Sequence, residues 1–89
     1  MDNVSMEQEI IKIIEEVLKH KITKEMLTME LYSIGIDSIR IIQIVVDIEE
    51  KYNIKLGKVF EDDTMFENLQ VFVNNVVNEV RILSQGDVL

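Results

Sequence analysis

In the stretch GIDSIRIIQIVV, residues 35–46, a single hydroxyl, that of Ser38, stands at the mouth of a strongly apolar run. Asp37 precedes it and Ile39 follows. A serine in that place can cap a helix, attack a substrate or accept a covalent group. Nucleophilic attack needs a base within reach. Asp37 is adjacent, but the only histidine, His20, is far away in the chain, at an expected helix end where capping is its natural role. Asp47, Glu49 and Glu50 read as a solvated helix face. There is no Walker loop, no G-x-G-x-x-G and no His/Cys metal pattern. The acidic run Glu61, Asp62 and Asp63 lacks the spaced oxygen ligands, central glycine and closing Glu of a calcium loop, and reads as a solvated turn. No independent active site is expected. On this local pattern alone, Asp37 or Ser38 simply caps the helix that follows.

Composition narrows the classes further. The 89 residues suit one compact domain, 1–89, and are 47% hydrophobic, enough for a real core. The net charge of -8, from 17 acids against 9 bases, argues against nucleic acid, whose phosphates need a Lys/Arg surface. It permits a basic protein partner steered by charge, or serves only to keep a small protein soluble. No cysteine is present, so neither disulfides nor cysteine metal sites are expected, and the chain has no thiol of its own. MDNVSMEQE has no basic region leading into an apolar stretch, and no apolar run approaches a bilayer span. The expectation is a cytoplasmic protein without a membrane segment. Met1 at the start and the tail ending at Leu89 point to a lone protein rather than a piece of a larger one, and a monomer is expected.

The elements that must position Ser38 read as helices. Proline is absent and glycine occurs only at 35, 57 and 86, so few breakers interrupt the chain. Ser5 with Gln8 forms a capping-box pattern. Met6, Ile10, Ile13, Ile14, Val17 and Leu18 then follow at helical spacing, and Lys19, His20 and Lys21 suit the dipole at a helix end. This predicts a helix over about 5–20. Residues 22–36 show no single period and predict a long first loop, with Ile22, Leu27, Leu31, Ile34 and Ile36 packed down and Met26 and Met29 filling gaps. From 38 to about 52, β-branched residues favour strand, but the length without a turn signal favours helix. Ile39, Ile42, Val45, Val46 and Tyr52 recur at helical spacing there, with Asp37 a good N-cap. Ile41, Ile44 and Ile48 widen the apolar surface beyond one stripe, leaving part of it for a partner. A short helix is expected near 61–65, and a last one over about 68–83 from Leu69, Phe72, Val73, Val76, Val77, Val80 and Leu83. The tail SQGDVL is expected to fray. The fold class is all-α, a bundle of three longer helices and one short one.

Within that frame, LYSIGIDSIRIIQIVVDIEEKYNIKL, residues 31–56, resembles the core of the acyl and peptidyl carrier proteins. Leu31, Gly35, Ile36, Asp37, Ser38 and Ile39 match the family's signature, and Glu49 to Tyr52 match the acidic-aromatic end of its second helix. MFENLQVFVNNV is similar to the family's last-helix segment, so the likeness covers about residues 5–83. The resemblance implies a four-helix carrier bundle. It implies that Ser38 is esterified with 4'-phosphopantetheine from coenzyme A by a phosphopantetheinyl transferase. The arm's thiol then holds an acyl or aminoacyl thioester. A loading ligase and downstream synthase enzymes are the implied partners, and the carrier itself does no catalysis. Asp37 is expected to cap the helix and contact the modifying enzyme, because beside a phosphodiester its charge is repulsive. Gly35 is expected to free the backbone and leave space beside the serine.

One departure bears on the pathway. After the Asp-Ser-Leu motif the fatty-acid type commonly has an acid; here that residue is Arg40, and Gln43 replaces another frequent acid. This suggests a specialised pathway, making a polyketide, a nonribosomal peptide or an unusual acyl product, with fatty-acid synthesis as the alternative. Ile39, Arg40, Ile41, Val46 and Asp47 are the candidate partner contacts, and each apolar one of them could equally be core. A competing reading is a small helical interaction protein that never carries a prosthetic group.

Overall fold

The computed structural model describes residues 3–57 and 66–86. Three α-helices dominate it: α1 over Asn3–Leu18, α2 over Ser38–Tyr52 and α3 over Leu69–Gly86. Two 3-10 turns, Glu25–Thr28 and Leu31–Ile34, lie between α1 and α2. No strand occurs among the described residues. The short helix expected near 61–65 and the acidic turn at 61–63 lie outside them. The first connection is thus not featureless. Thr23 Oγ1 accepts the Met26 N–H at 3.3 Å to start the first 3-10 turn.

The core follows the apolar spacing of α1 and α3. Met6, Ile10, Ile13 and Ile14 of α1 are buried against Leu69, Phe72, Val73, Val76, Val77 and Val80 of α3 and against α2. Leu31, Ile34, Ile36 and Leu56 close the core from the connections. Met29, expected as a gap filler, instead stands 42% exposed. Its backbone does the joining: the Leu69 N–H donates to the Met29 carbonyl at 3.1 Å, tying the first connection to the start of α3.

Both long connections leave their helices in the same way. Lys19 (φ 63°) and Asn53 (φ 56°) turn left-handed just past α1 and α2. Three residues beyond each, a backbone N–H returns to a glutamate on the helix. Ile22 donates to Glu15 and Leu56 to Glu49, each at 2.8 Å. A carboxylate that accepts a half-buried N–H makes a charge-assisted bond, stronger than a neutral one. The two glutamates therefore anchor the path of the chain as it leaves α1 and α2.

Several boundaries differ from expectation. Helix α1 is already formed at Asn3, so Ser5 sits inside its first turn and is not the N-cap. It ends at Leu18, and His20 lies past the end, its Nδ1 against the Lys21 carbonyl at 3.0 Å. Helix α3 runs on to Gly86, so Ser84, Gln85 and Gly86 of the expected frayed tail are helical. Asn68 opens α3 by accepting the Val71 N–H on Oδ1 at 2.8 Å.

The far end of α2 is joined to α1 through Glu9, whose carboxylate pairs with Lys51 at 3.4 Å. The Tyr52 hydroxyl is shielded from solvent and meets no hydrogen-bond partner in bonding geometry among the described residues. Burial, and then the nearby Glu9 carboxylate, raises its pKa above the ordinary phenol value of 10.0.

Candidate functional site

The site is built from the turn at 35–37 and the first turn of α2. Gly35 ends the second 3-10 turn with φ 92° and ψ 9°, a left-handed conformation that a side chain disfavours. Its N–H donates to the Tyr32 carbonyl at 3.2 Å, and the next N–H, of Ile36, donates to the Leu31 carbonyl at 2.9 Å. A Cβ there would meet nothing within 4 Å, so among the described residues it is the backbone angle, not a clash, that calls for glycine. Gly35→Ala is expected to destabilise the protein by about 1–2 kcal/mol, read as a lower urea midpoint with an unchanged slope. A midpoint equal to that of the unsubstituted protein would show that the turn relaxes without strain.

Asp37 is the N-cap of α2. Its Oδ1 accepts the Arg40 N–H at 2.9 Å, and its Oδ2 takes the Arg40 guanidinium at 3.0 Å. Capping and charge neutralisation therefore fall on one pair of exposed side chains. Ser38, the first residue of the helix, is thereby released from capping. Its hydroxyl is exposed, and its one hydrogen-bond partner among the described residues is the Tyr32 hydroxyl, at 3.4 Å. Beside it lies a mostly apolar groove of about 320 Å³, lined by Leu31, Tyr32, Ser38, Ile41, Ile42 and Phe66. The Phe66 ring stacks on Phe72 of the core with centroids 6.1 Å apart.

The remaining sequence candidates separate. Ile39 is 78% exposed and Val46 38% exposed. Ile41 is buried, on the side of α2 that faces the core, and also lines the groove beside Ser38. Asp47 is farther along the helix, its carboxylate bonded by the Gln43 amide at 2.9 Å. The structure thus gathers Gly35, Asp37, Ser38 and Arg40 at one place and leaves Val46 and Asp47 two turns away. It adds Tyr32, which sequence reasoning missed. The only available signal was a large aromatic residue six positions before Ser38 within an otherwise irregular segment.

A serine freed from its capping role, exposed at the start of a helix and next to an apolar groove, is suited to carry a covalent group. The family model described as the phosphopantetheine attachment site matches residues 8–68. The chain belongs to that family, that of the acyl and peptidyl carrier proteins. No curated protein and no solved structure gives a significant match. The domain is the attachment site of a covalent 4'-phosphopantetheine group, and such domains work with a phosphopantetheinyl transferase and with synthase enzymes. The described residues fit this group. The Ser38 hydroxyl is accessible, the helix N-terminus favours the negative charge of a phosphodiester, and Arg40 offsets the charge of Asp37. No helix among the described residues is long and apolar enough to cross a membrane.

Proposed function

We propose that Ser38 is the residue that bears the 4'-phosphopantetheine arm, and that the protein holds acyl or aminoacyl cargo on it for delivery to partner enzymes without catalysing any step itself. The observation that carries this reading is the division of labour at the helix start, where Asp37 caps α2 and the Ser38 hydroxyl remains exposed. In the loading step the Ser38 oxygen forms a bond to the pantetheine-bearing phosphorus of coenzyme A. The bond from that phosphorus to the oxygen of the adenosine bisphosphate half breaks, and the hydroxyl proton passes to the transferase or to water. The new phosphodiester lies at the N-terminus of α2, where the dipole favours it by about 0.3–1 kcal/mol. The arm supplies the thiol that the chain lacks, and its chemistry is thioester formation and exchange. Incubation with coenzyme A and a broad-range transferase should add the mass of one phosphopantetheine. A folded protein left unmodified by several transferases would overturn the proposal and favour an unmodified interaction protein.

The pathway we infer is a specialised one rather than bulk fatty-acid synthesis. Arg40 cancels the charge of Asp37, and Gln43 occupies the next turn, so the front of α2 presents less negative charge than the fatty-acid type offers its partners. Charge complementarity sets encounter rates, which fall when the charge is removed. The loaded carrier is expected to be a poor substrate for an acyl-transferring enzyme of fatty-acid synthesis in competition with a fatty-acid-type carrier. Equal turnover of the two would remove the case for a separate pathway.

A further inference from the structure

Tyr32 has no part in the reading above, yet its phenol is the one side chain among the described residues that hydrogen-bonds the Ser38 hydroxyl. Tyr32 is 71% exposed, so packing does little to hold its side chain. Its backbone is held. Leu31 and Ile34 on either side are buried, and the carbonyls of Leu31 and Tyr32 accept the N–H groups of Ile36 and Gly35. The left-handed turn at Gly35 thus keeps the base of the Tyr32 side chain within reach of Ser38.

At 3.4 Å the contact is long for two hydroxyls, and either can be the donor. Esterification changes that. The Ser38 oxygen loses its proton, so it and the phosphodiester oxygens become acceptors only. The contact survives only with Tyr32 as donor, and the acceptor it then meets carries charge. Such bonds are shorter and about twice as strong as neutral ones. The Arg40 N–H and one guanidinium nitrogen of Arg40 are held by the Asp37 carboxylate, whereas the Tyr32 hydroxyl is the side-chain group already in contact with the Ser38 oxygen.

We propose, resting on the reading of Ser38 as the attachment residue, that Tyr32 is the positioning residue for the phosphopantetheine linkage. Its hydroxyl donates to the phosphodiester and sets the direction in which the arm leaves the protein. The test compares the unsubstituted protein with Tyr32→Phe, which keeps the ring and removes only the hydroxyl. Both are loaded enzymatically and followed by intact mass and by phosphorus-31 NMR. Both should gain the same mass and melt at the same temperature. The phosphodiester resonance should be displaced in the variant. In the unsubstituted protein the ring-carbon signal next to the Tyr32 hydroxyl should move on loading. Superimposable phosphorus resonances in the two loaded proteins would overturn this inference and leave the Ser38 reading intact. Failure of the unsubstituted protein to load would overturn the Ser38 reading, and this inference with it.

Discussion

Ser38→Ala is expected to abolish the phosphopantetheine adduct completely while leaving the fold unchanged. The two halves of this expectation have separate grounds. Loss of the adduct follows from chemistry, since alanine has no oxygen to bond to phosphorus. Retention of the fold follows from Asp37, which caps α2 through the Arg40 N–H without help from Ser38. The serine hydroxyl is exposed, and its 3.4 Å contact with Tyr32 is too long to contribute much stability. Alanine is also the better helix former, so a gain of up to about 0.5 kcal/mol is expected. Intact mass after enzymatic loading reads the first half, and a thermal melt the second. Ser33, exposed in the second 3-10 turn, is the natural control: Ser33→Ala should load as the unsubstituted protein does. Loading of Ser38→Ala would place the attachment on another hydroxyl.

The second large effect separates the two sides of α2. Ile44→Ala is expected to destabilise the protein by about 2–5 kcal/mol, from lost transfer energy and the cavity left behind. Ile44 has 0% exposure, so no solvent can fill the space. Ile42→Ala, at a residue 54% exposed, is expected to change stability by no more than about 0.5 kcal/mol. Urea denaturation of the two variants measures the contrast. Similar losses for both would mean that the Ile42 side of α2 is covered by some part of the protein.

That contrast marks where sequence reasoning stopped. On a 3.6-residue wheel, Ile39, Ile42 and Val46 fall within about 60° of arc, and Ile41, Ile44, Val45 and Ile48 within about 100° on the opposite side. Both sectors are apolar, so periodicity identifies a helix but does not orient it. The spacing of Ile39, Ile42, Val45, Val46 and Tyr52 mixes the two sectors: the structure turns Ile39, Ile42 and Val46 outward, buries Val45 and partly covers Tyr52. In α1 and α3 the opposite sides are mostly polar, and there the spacing matched the buried residues, with Val17, Leu18 and Leu83 only partly covered and Ile82 an exposed exception. The chain ends went less well, because helix boundaries depend on weak local terms. A capping-box pattern at Ser5 did not prevent α1 from forming earlier.

The site divides along the same line. Asp37 as cap was legible because capping is a local matter, decided by a carboxylate and an N–H three residues on. The glycine at 35 was legible as a turn, since only a left-handed φ calls for it so strongly. Tyr32 was not legible, because its place beside Ser38 depends on the path of the chain through the second 3-10 turn. Arg40 could be seen as a departure from the fatty-acid type. Its pairing with Asp37 needed a side-chain conformation.

Three features were legible in the sequence itself: the helical character of the described residues, a hydroxyl at the start of α2 beside an acid able to cap it, and the resemblance that names the group. Each rests on short-range spacing or on residue type. Tertiary structure alone decided which side of α2 faces the core and which phenol stands beside the serine. Both depend on how separate segments pack, and a chain with two apolar sides on one helix does not encode that choice locally.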